Sequence, residues 1–247
     1  MGLYKVEGIV LRRRNLGEAD RLVTILSRDR GKLTVVARGA RRPRSRLGGR
    51  LEPATRFRAL VAEGRSLDII SQVDVLDAFA ALRDDLERMG TAAVILEYAD
   101  RALADRHPQP DVYCLLAEAL ALLRLGVRDL AAVWFAARLL ALTGHRPAVD
   151  RCAVCGHRIR GETWWSAVLG GCVDAACRAR DPRAVVITRG AVALLRFLLD
   201  ARHAVVQRAR PGPPHRDELA EALRRYAEAC WETRFRAPDV VGRLRRT

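Results

Sequence analysis

Leu22–Ala37 reads LVTILSRDRGKLTVVA: two runs of β-branched and apolar residues on either side of Asp29-Arg30-Gly31, a Gly-containing turn signal. The pattern predicts a β-hairpin. Upstream, Val6–Leu11 is β-rich. Downstream, Arg56–Ala62 and Leu67–Val75 flank a second turn at Glu63-Gly64-Arg65. Five short strands within about 75 residues, joined by one long irregular connection, fit a small closed barrel of the OB-fold type better than an open sheet. Alternation along the second strand of the hairpin sets Leu33, Val35 and Ala37 on one face and Lys32, Thr34, Val36 and Arg38 on the other. If the apolar face fills the barrel, the cations point outward.

The long connection is Arg38–Arg50, RGARRPRSRLGGR, with six arginines, no acid, and breakers at Pro43 and Gly48-Gly49. Like charge interrupted by Pro and Gly does not build a packed element, so an exposed loop is expected. Guanidinium forks suit planar anionic oxygens such as backbone phosphates. The candidate DNA contacts are Arg12, Arg14, Lys32, Arg38, Arg41, Arg42, Arg44 and Arg46. The region has only two aromatics, Tyr4 and Phe57, so base stacking is nearly ruled out as the binding mode.

The formal net charge of +15 over 247 residues is uneven. Residues 1–65 carry 17 Lys/Arg against 6 Asp/Glu (+11), residues 66–177 carry 11 against 15 (−4), and residues 178–247 carry 16 against 8 (+8). Separated basic faces are the footprint of a polyanion partner. No basic segment has the amphipathic period of a membrane-surface helix. The start lacks a signal-peptide apolar run, and six cysteines without one point to a reducing cytoplasm.

From Phe79 the period becomes helical. Phe79, Leu82, Leu86, Met89 and Ala93 are expected on one face, followed by Leu96 and Leu103. Asp111 caps a second helix burying Val112, Leu115, Ala119 and Leu122, and a third runs from about Arg128 to Leu142, ending at Gly144. Thr188 caps a fourth through Leu199, and a last helix buries Leu219, Leu223, Tyr226 and Cys230. The expected organisation is a barrel over 1–78 and a helical domain over 79–247 with an insertion at 150–182.

The insertion carries Cys152, Cys155, Cys172 and Cys177, spaced C-x2-C, sixteen residues, C-x4-C. Four thiolates in two close pairs suit one tetrahedral structural zinc, with Gly156 easing the tight turn of a knuckle. The x4 spacing of the second pair is irregular, and His145 and His157 are possible substitutes. A closed four-ligand site stabilises the fold and does not activate water. Cys114 and Cys230 lie beside apolar helical residues and read as core fillers. No nucleophile elbow, P-loop, HExxH or dinucleotide motif occurs, and the acid pairs Asp84-Asp85 and Asp217-Glu218 stand at helix starts where they favour the macrodipole. A non-catalytic protein is expected.

Glu7–Pro53 (EGIVLRRRNLGEADRLVTILSRDRGKLTVVARGARRPRSRLGGRLEP) resembles the N-terminal domain of the RecO family of DNA repair proteins. Trp134–Gly156 (WFAARLLALTGHRPAVDRCAVCG) is similar to that family's helix leading into its zinc knuckle. The resemblance spans the whole length in the same order. It implies an N-terminal OB-fold, a helical body and a zinc-binding insertion. It also implies a recombination mediator of the RecF pathway that binds single- and double-stranded DNA, anneals complementary strands, and works with RecR and single-strand-binding protein to load RecA. Such a protein is cytoplasmic and nucleoid-associated. One departure stands out: the family has a Gly-Gly pair, two residues, then C-x2-C, whereas Gly170-Gly171 is followed here by CVDAAC. Cys177 then matches the fourth ligand and Asp174 the third. Either Cys172 has taken over ligation or Asp174 supplies an oxygen; thiolate chemistry favours Cys172. Two other functional classes compete: a structural adaptor that recruits repair proteins without touching DNA, and a zinc-dependent nucleic-acid enzyme. The closed ligand set disfavours the latter.

Overall fold

The expected strands are all present in the computed structural model, which describes residues 2–238; the outer limits of the two expected domains, 1 and 247, lie outside these. β1 (Leu3–Leu16), β2 (Asp20–Ser27), β3 (Gly31–Ala37), β4 (Arg56–Ala62) and β5 (Asp68–Asp77) close into a barrel of order β1-β2-β3-β5-β4. The β2–β3 hairpin pairs Arg21 with Ala37 and Ser27 with Gly31. Gly31 turns the chain at φ 70°, where a Cβ would also strike the His107 backbone. β1 is longer than expected because it serves two partners. Its first half pairs with β4 and its second with β2, with a register break between Val10 and Arg12 that bends it around the barrel. Closure comes from the parallel pairing of Val35–Ala37 with Asp68–Ile70.

Alternation fills the interior as expected. Leu33, Val35 and Ala37 join Val23, Ile25, Phe57, Ala59 and Val61 in one core, and Phe57 is fully buried there. Two helices, α1 (Leu86–Ala102) and α2 (Pro110–Arg124), complete the first of two compact units, Met1–Arg124. The change from strand to helix near residue 78 is therefore not the boundary of packing. α2 buries Val112, Leu115, Ala119 and Leu122 as expected. The face expected for α1 is corrected: Leu86, Met89 and Ala93 are exposed, and the buried stripe is Ala92, Ile95, Leu96 and Ala99. Phe79 and Leu82 belong to a separate 3-10 turn, and the helix starts afresh where the Asp85 carboxylate accepts from Glu87 and Arg88 N–H, so its phase cannot be carried through from Phe79. Cys114 is likewise corrected from core filler to exposed residue, on the outer edge of α2.

The second unit, Leu125–Thr247, is built on α3 (Arg128–Leu142), α4 (Arg189–Asp200) and α6 (Pro213–Cys230), with the short α5 (His203–Val206) between the last two. α3 ends in a Schellman motif: His145 N–H donates to Leu140 O (2.7 Å) and Gly144 N–H to Ala141 O (3.3 Å), with Gly144 at φ 84°. Thr188 Oγ1 caps α4 by accepting from Ala191 N–H. Between α3 and α4 lies a small sheet of β6 (Thr163–Ser166), β7 (Gly171–Asp174) and β8 (Val185–Val186), in the order β7-β6-β8. Trp165 fixes this sheet to α6, donating Nε1–H to Ala222 O (3.0 Å) and meeting Tyr226 edge-on at 5.9 Å. Cys230 is half-buried in α6. Among the described residues no helix is long and apolar enough to cross a membrane.

Candidate nucleic-acid interface and metal centre

The arginines of the basic loop are exposed, while three of its apolar residues and several hydrogen bonds anchor it to the barrel. Ala40 and Leu51 are buried and Leu47 packs against the barrel core, so apolar residues at wide spacing fasten the connection to the barrel. Gly39 N–H donates to Asp20 Oδ1 (2.7 Å), Arg21 Nη1 to Gly48 O (3.1 Å) and Arg50 Nη1 to Val73 O (2.8 Å). These three apolar residues went unnoticed among the charges; their spacing was the available signal.

Of the eight expected DNA contacts, five combine exposure with freedom from any side-chain partner among the described residues: Arg14, Arg38, Arg42, Arg44 and Arg46. Arg41 is exposed but ties the loop to the β1–β2 turn through Gly17 O (2.7 Å). Two others are corrected. Lys32 does point out of the barrel, but α1 covers it. Its side chain is only 13% exposed, and its ammonium donates to Asp100 O (2.6 Å) beside the carboxylates of Asp100 and Asp105. Arg12 is half-exposed and bonds Asp100 Oδ2 at 2.6 Å. Both cations neutralise an acid inside this unit, so neither is free for phosphate. No aromatic of the barrel offers a face to a base. Phe57 is interior, and Tyr4 is buried, hydrogen-bonded to Asp68 (2.7 Å) and covered by the Arg30 guanidinium at 3.9 Å.

The cysteine-rich insertion brings four donors together: the Sγ atoms of Cys152, Cys155 and Cys177 and a carboxylate oxygen of Asp174, all within 4.8 Å of one another. A tetrahedron with 2.3 Å bonds has edges of about 3.8 Å, so the donors need little adjustment to hold zinc. The first knuckle is tied by Gly156 N–H to Cys152 O (2.9 Å) and Cys152 N–H to His157 O (2.8 Å), with Gly156 at φ 73°. Burial raises the cost of ionising Cys152, but hydrogen bonds to its sulfur from the N–H groups of Cys155, Asp174 and Val154 outweigh it and hold the thiol below its ordinary pKa. The second knuckle is Asp174–Cys177. Asp174 Oδ1 accepts Cys177 N–H (2.8 Å) and Oδ2 faces Cys155 Sγ (3.3 Å), and these contacts keep the carboxylate acidic.

Cys172 is not in this group, which corrects its assignment as third ligand. It lies two residues before Asp174 on β7, a displacement of about 7 Å along a strand, so only one of the two can reach the centre. Its side chain is fully buried and burial pushes its thiol up to about 12, while its carbonyl supports the first knuckle by accepting Ala153 N–H (2.8 Å). With Asp174 in place the two pairs become C-x2-C and D-x2-C, and the irregular x4 disappears. His145 and His157 stand outside the group.

Comparison with known proteins adds the family. The family model for the recombination protein O N terminal region matches residues 1–79, and that for the recombination protein O C terminal region matches residues 83–236. The DNA repair protein RecO of Desulforamulus reducens is 34% identical over 245 residues, covering 99% of this chain and 96% of the relative. That of Symbiobacterium thermophilum is 35% identical with 99% of each chain covered, and that of Desulforudis audaxviator 40% identical over 81% of this chain and 80% of its own.

Proposed function

The chain belongs to the RecO family of DNA repair proteins, and from that premise we propose that it is a recombination mediator that holds DNA by its phosphates and anneals complementary strands. The observation that carries this reading is the set of five partner-free arginines on and beside a loop that Ala40, Leu47 and Leu51 anchor to the barrel. Anchoring fixes the backbone that carries the guanidinium groups before DNA arrives, and with no aromatic platform the bases are left unstacked. A strand held by its backbone keeps its base edges free to pair with a second strand. Single- and double-stranded DNA both present the required phosphates. In this reading residues 1–78 are the DNA-binding domain and residues 79–247 the helical body, with the insertion at 150–182. Family kinship supports RecR and single-strand-binding protein as partners, RecA loading as the outcome, and the nucleoid as the place of work.

Cys152, Cys155, Cys177 and Asp174 would hold one zinc per chain. Bound there, zinc would supply a cross-link between the two knuckles, with four protein donors leaving no open position for substrate. The knuckle backbone, through the Cys172 carbonyl and the Asp174 turn, already aims the donors at one another.

The test is annealing of two complementary labelled strands by the full chain and by a variant with Arg38, Arg42, Arg44 and Arg46 replaced by alanine. Loss of most of the acceleration in the variant is expected. Equal annealing by both would remove the loop from the function, and no salt-sensitive DNA binding by the parent would favour a protein adaptor instead.

A further inference from the structure

The second unit carries its own concentration of unopposed positive charge, around the knuckles. Arg151, Arg158, Arg160, Arg178, Arg180 and Arg183 are all exposed. Four of them flank the knuckles directly, and Arg160 and Arg183 follow two and three residues further along the same segments. Arg151 and Arg158 face each other across an antiparallel bridge that brackets Cys152, and Arg178 and Arg180 form the 3-10 turn that leaves Cys177. The acids of the same stretch are already engaged. Asp150 bonds Arg196 (2.6 Å), Asp174 belongs to the donor group, and Asp181 is buried against Ser166 (2.5 Å). Glu162 is the one exposed carboxylate without a partner there among the described residues.

We infer that this knuckle surface is a second binding site for nucleic-acid phosphates, distinct from the barrel loop, so that one chain holds two strands at once. It rests on the reading of the chain as a strand-annealing protein and supplies what that reading lacks, a place for the partner strand. Arginines brought this close repel one another, and a polyanion removes that repulsion while gaining forked hydrogen bonds. Two of them are pre-oriented: Arg178 lies 5.6 Å over the Trp164 ring, and Arg151 donates through Nη1 to Gly156 O (3.1 Å). Stacking of a guanidinium occupies its face and leaves its N–H edge for a phosphate. Carboxylate-bearing peptides would be a weaker match, since they offer fewer charges per unit length than a strand.

The experiment counts short oligodeoxythymidine strands, about eight nucleotides long, bound per full-length chain at low salt. Thymidine cannot self-pair, so the count reads sites and not duplexes. Two per parent chain are expected. One is expected for Arg158→Ala/Arg160→Ala/Arg180→Ala/Arg183→Ala, which spares Arg151 and Arg178, and two again for the matching lysine variant. One strand per parent chain, or two per chain of the alanine variant, overturns the second site and leaves the barrel reading standing. No strand on the parent overturns the barrel reading itself. Should the alanine variant lose its zinc or melt early, Arg180→Gln/Arg183→Gln is judged by the same count.

Discussion

Exchanging the two rival donors on β7 separates a ligand from a buried thiol. Zinc-finger peptides with four ligands bind zinc with about 10–16 kcal/mol, so one ligand of four is worth about 3 kcal/mol, roughly two orders of magnitude in affinity. Asp174 touches both Cys155 and the Cys177 N–H, so Asp174→Ala removes a donor and also unties the second knuckle. Zinc should then fall well below one per chain after dialysis against a weak chelator. Cys172 is fully buried and outside the donor group. Cys172→Ser places an unpaired hydroxyl in the core, a cost of about 1–3 kcal/mol in stability, with the metal retained. Asp174→Cys should hold zinc at least as tightly as the parent. The assay is metal content of the purified chains beside their thermal melts. A full zinc complement in Asp174→Ala, with loss in Cys172→Ser, would refute the assignment of the third donor.

Trp165→Ala should destabilise the second unit by about 3–5 kcal/mol, seen as an earlier thermal transition, because it empties a nearly fully buried indole site and removes the bond from the indole N–H to Ala222 O. Lys32→Met should lower the stability of the first unit by about 1–3 kcal/mol, since Asp100 loses a cation, while the salt slope of DNA binding stays at the parental value. Acid should act on the barrel through Asp68. Burial opposes its charge, but hydrogen bonds from Tyr4, Gly64 N–H and Arg106 outweigh that and lower its pKa in the folded state. A lowered pKa contributes stability that is present above the unfolded value near 4 and is lost as pH falls through the folded value, so the melting temperature should drop on acidification below about pH 4, and by less in Tyr4→Phe.

The barrel was legible because its information is local. Period-two alternation chose the buried faces, and Gly31 marked the hairpin turn. α3 was legible to the residue because its C-terminal stop is chemically explicit at Gly144. What failed depended on neighbours distant in sequence or on where an element ends. The outward face of β3 could be read, but not that α1 would cover Lys32. The phase of α1 was lost because a 3-10 turn and the Asp85 cap intervene. Thiolate chemistry favoured Cys172 over Asp174, whereas the decisive fact is that β7 ends at Asp174, so the knuckle turn starts with a carboxylate.

Phosphate-dominated binding is tested most directly by titrating a short labelled single strand with the full chain at several salt concentrations. Five free arginines, each neutralising one phosphate at about 0.7 per contact, predict that log affinity falls against log salt with a slope near −3.5, equally for all sequences. Affinity that resists salt, or that depends on which bases the strand carries, would contradict the account.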